Sequence, residues 1–158
     1  MFPGDLILTP NWCWHEHHND SASRCIWADA LDLPLAASMA AVFSERGQAS
    51  AERKSLWHLD DRAFANAGLL PDTNAPRNPY SPMFRYPWAT TVAALEHSPE
   101  MADGSRRVRY VDPTTGEPAI PSLDCYVWQL AANHATTSYR SSANAVFDHN
   151  RLAERFAQ

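Results

Sequence analysis

Gly4-Asp5-Leu6-Ile7-Leu8-Thr9-Pro10-Asn11-Trp12-Cys13-Trp14-His15-Glu16-His17-His18-Asn19 is the stretch on which the fold turns. The apolar run Gly4 to Thr9 reads as a strand that stops at Pro10-Asn11. Trp12 to His18 reads as a second strand. After the turn formers Asn19-Asp20-Ser21, Cys25 to Leu31 reads as a third. A short connection rich in turn residues makes the last two a hairpin.

On a strand, side chains alternate between faces, so Trp12 to His18 places Cys13, His15 and His17 on one side and Trp14, Glu16 and His18 on the other. The two imidazoles on one face can bind a metal through neutral nitrogens, or divide the work, one ligating and one meeting a substrate. The bland alternative is one hydrogen-bonded core histidine and one exposed at a strand end. Three histidines and a carboxylate between positions 15 and 18 favour a functional site without naming a metal. Asp29 shares a face with Cys25 and Trp27 and can lie across the hairpin from the histidines. There it would fix an imidazole's tautomer and raise its basicity. A solvated carboxylate beside Asp32 is an equal reading of the same spacing.

Farther along, Leu35 to Val42 is rich in alanine and Glu45 to Lys54 is polar, together a connecting region. Asp60 to Leu70 suits a short helix capped by Asp60 or Asp61 and stopped near Gly68. Pro71 to Pro82 suits an extended loop. Pro87 to His97 predicts a firmer helix, with proline where its missing N–H does no harm, Val92 and Leu95 on one side, and Pro99 closing it. Arg107 to Val111 and Asp124 to Leu130 read as strands around a turn at Pro113-Thr114-Thr115-Gly116, and His149 to Gln158 reads as a helix end.

A length of 158 residues accommodates one domain with a core, and a hydrophobic share of 45% with 20% charged residues is that of a globular chain. Net charge is −5 and the basic residues are scattered, which excludes the basic stripe of a nucleic-acid binder. No apolar run approaches the ~20 residues of a membrane helix, and Met1-Phe2-Pro3-Gly4-Asp5 carries no basic segment ahead of an apolar one, so a cytoplasmic location is expected. Cys13, Cys25 and Cys125 are too irregularly spaced for a disulfide framework and are expected as free, buried thiols.

The opening stretch also resembles the second conserved motif of the cupin superfamily, in which glycine, proline, histidine and asparagine recur at fixed spacing. Gly4, Pro10, His15 and Asn19 fall in those places. Trp12 stands where the motif has a second glycine, a variation similar to that of gentisate and salicylate dioxygenases. Ile26-Trp27-Ala28-Asp29-Ala30-Leu31-Asp32-Leu33-Pro34-Leu35, Ser81-Pro82-Met83-Phe84-Arg85-Tyr86-Pro87-Trp88, Arg109-Tyr110-Val111-Asp112-Pro113-Thr114-Thr115-Gly116 and Tyr139-Arg140-Ser141-Ser142 resemble that family too. With gaps, the resemblance runs from Gly4 to about Phe147.

The resemblance implies a bicupin that holds one Fe(II) with three histidines in its N-terminal barrel, binds a gentisate-like or salicylate-like aromatic hydroxy acid, and uses O2 to split the ring. Neutral imidazoles and open coordination positions suit that chemistry. It makes His15 an iron ligand, His17 a group near the substrate, and Asp29 the partner that orients His17. The family's other two ligands lie in a His-x-His pair on an earlier strand. This sequence has no second such pair, since His58, His97, His134 and His149 stand singly.

The expected fold is therefore mainly β with short helices: a partial cupin (double-stranded β-helix, jelly-roll) barrel, incomplete at both ends. Residues 1–35 would be the last strands of the first barrel, 36–106 the inter-barrel linker with short helices, 107–147 the start of the second barrel, and 148–158 a divergent tail. The expected function is that of a fragment of an Fe(II) ring-cleaving dioxygenase, inactive by itself. One alternative is a non-catalytic fragment that forms a homo-oligomer by pairing its open strand edges. Another is a zinc module built on Cys13, His15, His17 and Cys25, which ranks last because ligands so close along a strand wrap a tetrahedron poorly.

Overall fold

The computed structural model describes residues 2–47, 60–66, 68–72 and 80–147. From the apolar run at the start, only Leu6 and Ile7 form a strand, β1 (Leu6–Ile7). Its partner is the distant β2 (Arg85–Tyr86), antiparallel, with Leu6 opposite Tyr86 and Ile7 opposite Arg85. Beyond β1, the buried Leu8 donates its N–H to the Phe84 carbonyl at 2.8 Å.

Pro10 then turns the chain: Cys13 N–H bonds the Pro10 carbonyl at 3.2 Å and Trp12 takes φ 59°. The strands expected over 12–18 and 25–31 do not form among the described residues. The physical reason is that a strand is completed by the partner that takes its N–H and C=O groups, and residues 14–31 are exposed with no ladder between them. Their connection is nevertheless built as a turn, with Asn19 Oδ1 accepting from Ser21 N and Oγ, and Asn19 Nδ2 donating to the Ser23 carbonyl at 2.8 Å.

Next comes α1 (Leu33–Ser38), which starts before the alanine-rich stretch read as connecting and runs into it, with Pro34 in its first turn and Ala40 at φ 53° just past its end. Alanine's helical preference explains it. The short helix expected over 60–70 is a 3-10 turn, Asp61–Phe64, and Asp60 Oδ1 caps it by accepting from Arg62 N at 3.0 Å.

The predicted helix at Pro87 is α2 (Trp88–His97), with Pro87 as its N-cap residue. Proline cannot cap through a side chain, and the first open N–H, that of Trp88, is taken instead by Asp5 Oδ1 at 2.9 Å. This bond ties β1 to the helix. Thr91 and Leu95, one turn apart, are the buried face, with Val92 only half-buried. That face packs on a second ribbon, β3 (Ser105–Arg109) antiparallel to β4 (Tyr126–Leu130), with Arg107 opposite Trp128. β3 lies two residues earlier than the spacing suggested. Between the two strands, Asp112 Oδ1 accepts from Thr114 N and Oγ1, and Gly116 N bonds the Asp112 carbonyl, so the expected turn at 113–116 is organised by a buried carboxylate.

The described strands thus form two separate two-stranded ribbons, and Leu8, Met83, Leu95, Tyr110 and Ala119 are the buried apolar residues. At their centre the Tyr86 hydroxyl lies 2.7 Å from both Ser81 Oγ and the Val111 carbonyl oxygen. Its ring meets that of Tyr110 edge-on at 5.3 Å. Desolvation by burial pushes the Tyr86 phenol up to about 12. The folded state therefore favours the neutral phenol. The corresponding stability is fully present below the unfolded value of about 10 and is lost as pH rises through the folded one. Urea unfolding followed by circular dichroism should show a drop in stability between pH 9.5 and 12, and the drop should shrink in Tyr86→Phe; an unchanged drop would assign it to other groups.

Candidate metal and substrate site

The turn at Pro10 delivers Cys13, half-buried with its Sγ 3.7 Å from the Tyr80 hydroxyl, and then the imidazoles. His15 Nδ1 lies 3.2 Å from the Cys13 carbonyl oxygen. A carbonyl can only accept, so in the neutral imidazole Nδ1 carries the proton and Nε2 keeps its lone pair, the form in which an imidazole ligates a metal. His17 sits beside it, ring centroids 6.0 Å apart and planes at 72°. His18 points elsewhere, its Nδ1 3.0 Å from Asp20 Oδ1. His15 and His17 therefore meet although no ladder forms.

Across the turn, Trp27 stacks on His17 at 4.7 Å with planes 28° apart. Asp29 is exposed and makes no hydrogen bond or ion pair among the described residues. The structure thus brings His15 and His17 together, and the side chain from the Asp29 face that reaches His17 is Trp27. Sequence reasoning placed Trp27 on that face but gave it no role; its position two residues before Asp29 was the available signal.

No group of three or more His, Cys, Asp or Glu side chains that could hold a metal ion is assembled among the described residues. The donors at hand fit one ligand position and not a complete centre. Cys13, His15, His17 and Cys25 likewise form no such group. The three cysteines are free as expected, although Cys25 is exposed and Cys13 and Cys125 are only half-buried. Burial pushes the Cys125 thiol up.

Two further ion pairs serve the framework. Arg85 holds Asp61 at 2.6 Å beside β2. Arg109 grips Asp124 through two bonds of 2.8 and 3.0 Å, which with the Tyr126 hydroxyl at 2.7 Å keeps the Asp124 carboxyl below its usual range. No helix among the described residues is long and apolar enough to cross a membrane.

No family model matches the chain. It is similar to a gentisate 1,2-dioxygenase of Ralstonia sp, 39% identical over 138 residues, covering 82% of this chain and 37% of that protein. Gentisate 1,2 dioxygenase 1 of Aquipseudomonas alcaligenes is 30% identical over 151 residues, covering 93% of this chain and 44% of the relative. Among solved structures, a variant of salicylate 1,2-dioxygenase from Pseudoaminobacter salicylatoxidans gives a TM-score of 0.66 at 36% identity, covering 80% of this chain and 38% of that one. A gentisate complex of another variant of that enzyme gives 0.65 at 33%, covering 80% and 38%. These structural neighbours are cupin dioxygenases. The chain is a homologue of ring-cleaving aromatic dioxygenases. Its curated homologues are gentisate, salicylate and 1-hydroxy-2-naphthoate 1,2-dioxygenases, and the chain spans about two fifths of the length of the relatives it matches.

Proposed function

We propose that this chain supplies the middle of a cupin-type, Fe(II)-dependent dioxygenase that opens the ring of gentisate or a related hydroxybenzoate with O2. Residues 1–35 belong to the first barrel, 36–106 to the connection, and 107–147 to the second barrel. His15 offers Nε2 to iron, His17 faces the substrate, and Asp29 is the carboxylate companion on the facing segment. The observation that carries this reading is the pairing of two imidazoles, one with its tautomer fixed by the Cys13 carbonyl, in a chain that matches such enzymes over most of its own length. Iron, when bound, would bring substrate and oxygen together. This chain's own part is to present one ligand and to shape the substrate side.

The purified chain is expected to bind Fe(II) weakly and to consume no O2 with gentisate. Substituted for the matching segment of the Ralstonia relative, it should give a protein that holds iron and takes up O2 only when gentisate is present. His15→Ala in that hybrid should lower the rate by at least about 100-fold, since even groups behind a ligand are worth 10–100-fold. A hybrid equally active with and without the His15 imidazole would sink the assignment.

A further inference from the structure

The described histidines are held in two different ways. His15, His18, His97 and His134 each commit Nδ1 to a nearby oxygen: the carbonyls of Cys13, Ala93 and Ala132 for three of them, and the Asp20 carboxylate for His18. His17 makes no hydrogen bond among the described residues. It is fixed instead by its ring, which lies nearly parallel to the Trp27 indole at 4.7 Å and edge-on to His15 at 6.0 Å.

The difference matters chemically. A hydrogen bond to Nδ1 orients an imidazole but removes one of its two polar atoms from other use. A stacked neighbour fixes the plane of the ring through its face and leaves both nitrogens, which lie in that plane, open to a ligand. An imidazole that must meet the hydroxyl and carboxylate of an aromatic acid needs that second kind of support. Trp27 can supply it because the turn at Asn19 brings the chain back and the indole meets the His17 ring.

We propose that Trp27 is the positioning residue for His17: its indole sets the plane of the imidazole while keeping both ring nitrogens available to an aromatic hydroxy-acid ligand. The inference rests on the assignment of His17 to the substrate side. It adds a residue that the opening motif does not contain.

Two measurements test it and separate its failure from that of the assignment. In the full chain with isotope-labelled histidine, the ring protons of His17 should be shifted upfield by the indole, relative to those of His18 and His97. The shift should vanish in Trp27→Ala and largely persist in Trp27→Phe. Absence of the shift in the parent chain overturns the inference whatever the enzymology. In the Ralstonia hybrid, Trp27→Ala should lower kcat for gentisate about three- to tenfold, the range expected for losing one ring contact, and Trp27→Phe should restore most of it. Iron content should stay unchanged throughout. Turnover by Trp27→Ala equal to the parent overturns the inference while leaving the dioxygenase reading intact. A hybrid inactive before any substitution, with the upfield shift present, overturns the dioxygenase reading and leaves the indole's hold on His17 standing.

Discussion

Replacing Leu95 by alanine is expected to destabilise the protein by about 2–4 kcal/mol, the cost of deleting most of a buried leucine and leaving a partly collapsed cavity. Leu95 is only 5% exposed and sits one turn after Thr91 on the face that α2 lays against β3 and β4. Few other apolar side chains are buried among the described residues, so little surrounds the cavity that could repack into it. Against a typical net stability of about 5–15 kcal/mol, the loss is a large fraction of the whole. Urea unfolding followed at 222 nm measures it, and a cost below about 1 kcal/mol would mean that the helix does not pack as described. Val92→Ala, on the half-buried flank of the helix, should cost clearly less.

Gly4→Ala should be comparably damaging for a different reason. Gly4 has φ +89°, and a Cβ there would lie 2.7 Å from Cγ and Cδ2 of Trp88 and 3.2 Å from its Cβ. Strained backbone contributes about 1–2 kcal/mol, and forcing the indole aside contributes about 1–3 more. Trp88 is also the residue whose N–H is capped by Asp5, so displacing it loosens the first turn of α2. Gly116→Ala is the control. It shares the positive φ, at +76°, but has no atom within 4 Å of a new Cβ, so it should show the strain alone. Equal losses at the two positions would refute the contact with Trp88.

What was legible in the sequence follows the range of the forces involved. α2 is bracketed by Pro87 and Pro99, and the turn at 113–116 is written in Asp112, Thr114 and Gly116; both depend on neighbours in the chain and both form as read. The pairing of His15 with His17 needs only the alternation of an extended backbone, and it survives even where no ladder forms. The strands expected over 12–18 and 25–31 need partners to accept their hydrogen bonds, which no local pattern supplies. The pairing of β1 with β2 and the capping of Trp88 by Asp5 were out of reach for the same reason. At the candidate site, no local signal told that Trp27, rather than Asp29, meets His17. The alanine run at 35–42 hid α1, because alanine carries no amphipathic signal while still favouring helix.

The bond from Trp88 to Asp5 joins positions 83 apart in the chain, and that separation has a kinetic meaning. Closing a loop of this length carries an entropic cost that grows with the logarithm of the length. α2, β3 and β4 follow one another closely and meet through much shorter loops. Loop-closure entropy therefore favours helix and ribbon meeting first as a local unit, with β1 docking later and Asp5 completing the helix cap.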